Sequence, residues 1–129
     1  MAGKIVLADT SILIDYFRKT DKSKSSLFIL YRQDYDFHIS AITEYEIYSG
    51  ATPEQIPFWQ DLLTKADVMP FDEKAVATAI KINKELKLKR KQISIADLFI
   101  AATAISNHLP LATLNKKHFE RIDGLKIIE

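Results

Sequence analysis

Four oxygen-bearing side chains stand where chemistry is possible. Asp9 follows the apolar run KIVLA, and Glu46 lies within AITEYEIYS. Asp97 is the single full charge between Ile93 and Asn115 (ISIADLFIAATAISNHLPLATLN), and Asn115 closes that stretch. An unpaired carboxylate among apolar neighbours takes up a proton or finds a cation. If Asp9, Glu46 and Asp97 meet, two of them 4 Å apart repel by about 4 kcal/mol at an effective dielectric near 20. No lysine or arginine lies at these motifs, so a divalent cation is the natural counter-charge. Oxygen-only donors favour Mg²⁺ or Mn²⁺ over zinc. Mg²⁺ keeps several waters and shares its shell with phosphate oxygens, which makes phosphodiester hydrolysis the implied chemistry.

Each acid also has a plainer reading. Asp9 is a suitable N-cap. Thr43-x-x-Glu46 has capping-box spacing. Asp97, three residues after Ser94, suits the positive end of a helix, but its apolar surroundings make that the weakest of the three alternatives.

The elements that would position these residues alternate. KIVLA (4–8) reads as a strand running into Asp9, Thr10 and Ser11, all helix-capping types, and then a helix with Ile12, Leu13, Tyr16 and Phe17 on one stripe and Asp15 and Arg18 turned away. Ser25 or Ser26 starts a second helix. DFHIS (36–40) is a second strand entering a helix that stops at Gly50, a residue suited to a left-handed position. FWQDLLTKA follows, with Pro57 leaving its start open. DVMPF (67–71) is a third strand, Asp72 caps a long helix from about 73 to 88, and Ser94 caps the helix carrying Asp97. LATL (111–114) and GLKII (124–128) complete five strands, with a short helix KKHFERI after Asn115.

Short apolar strands alternating with helices predict a three-layer α/β/α sandwich with a mainly parallel five-stranded sheet in one domain, 1–129, around one core. Ligand sites in such sheets lie beyond the carboxyl ends of the strands, where strand order reverses. Asp9, Ser40 and Asn115 all fall at such ends, with Thr43 and Glu46 a turn or two into the helix after Ser40.

Composition removes other classes. Absence of cysteine excludes thiolate zinc sites and cysteine nucleophiles, and three glycines cannot supply a Gly-rich phosphate loop. A net charge of +1 leaves nucleic-acid binding to a local patch. The run Lys87, Lys89, Arg90 and Lys91, just ahead of Asp97, is the candidate RNA-binding patch; a solvated helix end is its alternative. No membrane span or leader is evident, so the expected location is cytoplasmic. His38, His108 and His118 are read as structural or surface residues. An aspartyl-phosphate phosphatase would need a second acid where Ser11 stands, and a phospho-acceptor receiver domain has no use for Glu46.

IVLADTSILIDYF, ISAITEYEIYSG, ISIADLFIAATAI and LATLNKKHFERIDGLKI together resemble the PIN-domain ribonucleases, and most closely the VapC-type toxins of toxin–antitoxin pairs. The resemblance spans essentially the whole chain, with the motifs in the family's order. It implies an Mg²⁺- or Mn²⁺-dependent endoribonuclease leaving 3′-hydroxyl and 5′-phosphate ends. Asp9, Glu46 and Asp97 would be its catalytic metal-binding acids, with Thr10 and Ser11 as polar support. Asn115 replaces an acid common in the family and is the weaker fourth ligand. The resemblance also implies an RNA substrate, a cognate antitoxin and a homodimer, with Ile29, Tyr31, Phe58 and Trp59 as candidate surfaces. A PIN-like module that binds RNA or protein without efficient cleavage is the competing reading.

Overall fold

The computed structural model describes residues 3–128. Its β-branched and apolar runs form β1 (Lys4–Ala8), β2 (Tyr35–Ser40), β3 (Val68–Met69) and β4 (Leu111–Ala112), paired in parallel in the order β3-β2-β1-β4. The helices are α1 (Thr10–Arg18), α2 (Ser26–Arg32), α3 (Ala41–Gly50), α4 (Ile56–Leu63), α5 (Glu73–Leu88), α6 (Ile95–Ser106) and α7 (Lys116–Phe119). A single 3₁₀ turn, Lys22–Lys24, joins α1 to α2. Side chains alternate across a strand, so the expected single core is divided by the sheet. Val6, Ala8, Ile39 and Ala112 pack with α1 to α4, whereas Leu7 and Leu111 pack with α5 to α7. A parallel sheet covered on both faces is the three-layer arrangement expected.

The fifth expected strand is reduced to one parallel bridge, Leu111 to Ile127. Its partner β4 is only two residues long, and the next residue, Thr113, gives its side-chain hydroxyl to Asp9. β3 is likewise shorter than expected, ending where Pro70 has no N–H to donate. Gly50 is also different: it is the last residue of α3, followed by Ala51 in extended conformation, and only Gly124 among the described glycines takes a positive φ. Pro57 sits in the first turn of α4, where its missing N–H costs nothing.

Caps define the helix starts. Asp9, Ser25, Ser40, Asp72 and Ser94 each accept from a backbone N–H of the first turn. With Ser40 as the cap of α3, Thr43 is already inside the helix, which removes the capping-box reading of Glu46. Trp59 is buried in the core and Phe58 partly so, while Ile29 and Tyr31 are exposed. Two of the four candidate surface residues are therefore core-facing.

The C-terminal end of α1 is held by a lysine. Lys22 Nζ donates to the carbonyls of Tyr16 (2.6 Å) and Phe17 (2.8 Å), while lying over the rings of Tyr16, Phe17 and Phe58. Final-turn carbonyls lack intrahelical partners, and a cation there also suits the helix dipole. Phe17 stacks on Trp59 at 5.2 Å, so the same turn is locked to α4. Lys22→Met keeps much of the stem but removes both charged donors; a loss of about 1–2 kcal/mol is expected, discounted for partial exposure. Urea denaturation measures it, and a midpoint equal to that of Lys24→Met would show that water replaces the ammonium without cost.

Candidate active site

β1 lies between β2 and β4, and the chain reaches β4 only after moving outward through β2 and β3. The order of strands therefore reverses beside β1, where the crevice of an open parallel sheet forms. Asp9 and Thr113 follow the paired residues Ala8 and Ala112 at that point. The Asp9 amide donates to the Ala112 carbonyl at 3.0 Å, and Leu114 N donates to Ser11 Oγ at 3.0 Å.

The Asp9 carboxylate is almost wholly buried, with 2% of the residue exposed. Its Oδ1 accepts from Ser11 Oγ (2.6 Å) and Ile12 N (3.2 Å), and its Oδ2 accepts from the Thr113 hydroxyl. The plain N-cap reading is thus true of one oxygen, and it coexists with a place in the cleft. Burial raises the Asp9 pKa above the usual carboxylate value; the hydroxyls and the amide oppose this without cancelling it, and the charge of Asp97 raises it further.

Glu46 is positioned by a line of hydroxyls. Thr10 Oγ1 donates to Glu46 Oε1 at 2.6 Å and lies 3.2 Å from Thr43 Oγ1, which lies 3.3 Å from Ser40 Oγ. Ionised glutamate only accepts, so the proton of Thr10 goes to Glu46 and Thr10 accepts from Thr43, which in turn accepts from Ser40. Ser40 and Thr43 have no exposed surface, and Ser40 also accepts from Thr43 N at 3.0 Å. These four residues tie the start of α1 to the first turns of α3.

Asp97 stands in the first turn of α6, its amide held by Ser94 Oγ at 3.2 Å. Its Oδ2 lies 3.3 Å from His118 Nδ1 on α7. Asp9, Thr10, Ser11, Glu46, Asp97 and Asn115 all line one cleft of about 590 Å³. The convergence expected from the sequence is therefore present, with Ser40 and Thr43 supporting it from behind.

Among the described residues, no three His, Asp or Glu side chains are close enough to form a ready metal cage. The donor set nonetheless suits Mg²⁺ or Mn²⁺, which is held through one or two carboxylates with water completing the shell. The negative charge of Asp97 raises the Asp9 pKa, so the two acids repel each other. Such an arrangement of like charges favours a divalent ion between them.

Several contributors escaped the sequence reading. Thr113 was legible only as part of a strand, although a hydroxyl one residue past the end of β4 is the register mate of Asp9. His118 is exposed on its helix, as expected, yet reaches Asp97. Arg18 and Lys19, at the end of α1, line the cleft as well, correcting the expectation that no cation lies near the acids. Lys19 is 3.4 Å from Asp15, whose other oxygen accepts from Ser26 N. The run at 87–91 does not line this cleft. Lys89 pairs with Asp123 at 3.0 Å, Lys87 is exposed, and Arg90 and Lys91 line a separate cleft.

The chain is thus a parallel α/β sandwich with an oxygen-donor cleft at its strand-order reversal. The PIN-domain family model matches residues 6–125, and the chain belongs to that family. It is similar to Ribonuclease VapC1 of Methanocaldococcus jannaschii, 35% identical over 130 residues, covering 96% of this chain and 87% of the relative. Among solved structures it resembles DNA-bound VapBC from Salmonella typhimurium, with TM-score 0.82, 28% identity, and 97% and 96% of the two chains covered. A toxin–antitoxin complex from Klebsiella pneumoniae matches with TM-score 0.75, 28% identity, and 93% and 94% coverage.

The raised Asp9 pKa has a consequence for stability. The folded protein holds this proton more tightly than the unfolded chain, so the Asp9 contribution to stability falls as pH rises from the ordinary carboxylate pKa through the folded value. In chelator, Asp9→Asn removes that penalty while leaving an oxygen for Ile12 N and Ser11. Its thermal midpoint is expected to exceed the wild type's at pH 7 and to converge with it toward pH 4. A variant less stable than wild type at both pH values would show that the carboxylate is a net structural asset.

Proposed function

We propose that this protein is the RNA-cleaving toxin of a toxin–antitoxin pair, a metal-dependent endoribonuclease acting in the cytoplasm. The observation that carries the reading is the meeting of Asp9, Glu46 and Asp97 in one cleft at the strand-order reversal of a PIN fold. The VapC ribonuclease relative supports RNA over single-stranded DNA as substrate.

Asp9 and Asp97 would hold Mg²⁺ or Mn²⁺, with Glu46 and Asn115 as further oxygen donors. When bound, the ion supplies an activated water and offsets charge on the scissile phosphate. Ser11, Thr113 and the Ile12 amide fix the Asp9 carboxylate and keep it from turning. Thr10 holds Glu46 through the hydroxyl line from Ser40 and Thr43, so that Glu46 faces the cleft at little further ordering cost. Arg18 at the rim brings positive charge to a substrate phosphate entering a cleft that also contains four carboxylates. Asn115, a neutral donor that binds a cation less strongly than a carboxylate, makes a second firmly held ion unfavourable.

The toxin–antitoxin and VapBC neighbours support an antitoxin partner. An apolar groove of about 420 Å³ that includes Tyr16, Leu27, Phe28 and Phe37 is suited to receive an apolar segment of it. A homodimer fits the exposed Val76 and Ile80, one turn apart on α5; a monomeric mass in solution would remove that part of the reading.

The test is cleavage of a mixed structured and single-stranded RNA pool by antitoxin-free protein, with Mg²⁺ or Mn²⁺ and with chelator, beside Asp97→Asn. Metal-dependent cleavage is expected, with a loss of at least 10²-fold in the folded Asp97→Asn protein. Wild type that binds RNA but never cuts it with either metal would make the chain a binding module instead, a reading favoured by Asn115, a neutral amide at the cleft.

A further inference from the structure

A second polar cleft, of about 840 Å³, opens on the other side of α7 and is lined by Arg90, Lys91, Gln92, Lys117, Glu120 and Arg121. Four cations face one carboxylate there, in a chain whose whole net charge is only +1. The charge comes from two segments far apart in sequence, which the fold brings together. Arg90 takes a left-handed φ of 55° where α5 ends, and Arg121 Nη1 donates to the Gln92 carbonyl at 3.3 Å, so the two walls are tied. Among the described residues no ion pair engages Arg90, Lys91 or Lys117, whereas Lys89 is already neutralised by Asp123. Cations gathered without counter-ions raise the self-energy of the fold, and an anionic ligand relieves it.

The partition between this cleft and the acidic one is α7 itself. Asn115, just before it, lines the acidic cleft; Lys117 lines the basic one; His118 reaches back to Asp97. A helix is about 10–12 Å across, so a strand crossing it would span the two clefts with only a few nucleotides of backbone.

We propose that the basic cleft of Arg90, Lys91, Lys117 and Arg121 binds the phosphodiester backbone of the same RNA, a few nucleotides from the scissile bond, and that the strand crosses α7. This rests on the ribonuclease reading above and gives the substrate a path. The enzyme therefore prefers strands long enough to occupy both clefts, and recognition at the second is of backbone, not base.

The test uses Lys91→Gln/Lys117→Gln, which breaks no ion pair, against Lys24→Gln/Lys74→Gln, which removes equal charge elsewhere. RNA binding is measured on the Asp97→Asn background across a salt series, and KM for cleavage is measured with RNAs of increasing length. Loss of two phosphate contacts is expected to lower the slope of log K against log salt by about 1.4 and to weaken binding on the order of tenfold at 0.1 M salt. KM should rise more for longer strands than for tri- or tetranucleotides, and the control pair should keep the wild-type slope. An unchanged slope and unchanged KM overturn the proposal, as does a defect confined to antitoxin binding, which would assign the cleft to an acidic protein segment. Because the slope is read by binding, a wild type that does not cut would count against the ribonuclease reading alone.

Discussion

The structure around the cleft depends on keeping a charged carboxylate inside a sheet edge from which water is nearly excluded. Asp9 is buried at the end of β1, and burial disfavours its ionised form more than its three donors favour it. Those donors come from both sides of the crevice: Ser11 and Ile12 from α1, Thr113 from the end of β4. The requirement to solvate one acid thus joins the first strand to a segment 104 residues later. β4 itself is two residues long, and the last segment meets it through the Leu111–Ile127 bridge.

Glu46 and Asp97 are held by different means. Glu46 ends a line of hydroxyls, those of Ser40 and Thr43 fully buried, in which each member is satisfied by the next. Asp97 is more open and is steadied by a helix cap and by His118. One cleft thus contains a buried acid of raised pKa, an acid on a hydroxyl line and an acid near solvent. Environments that differ this much let carboxylates of one chemical type take different roles.

Charge is segregated across α7. The acidic cleft lies on one side and four cations on the other, with a one-turn helix between them. In a chain of nearly neutral net charge this separation creates local fields that the overall composition conceals. At the opposite end of the site, Lys22 fixes the last turn of α1 and with it Arg18 and Lys19 at the rim.

The linear chain carried most of the architecture, because local chemistry sets it. The apolar run before Asp9, the caps at Asp72 and Ser94, and the periodic stripe of residues 73–88 each specify their element through neighbours only a few residues away. A lone acid in the apolar stretch around Asp97 was likewise visible as a demand for a partner. What folding added was long-range pairing. Thr113 meets Asp9, and His118 meets Asp97, only because parallel register sets β4 beside β1 and α7 beside α6. The run at 87–91 read as one patch, yet its members part company when Lys89 finds Asp123 while Arg90 and Lys91 join Lys117 and Arg121. A side chain's electrostatic partners depend on distances through space, and sequence spacing fixes those only within a turn or two of helix or along one strand.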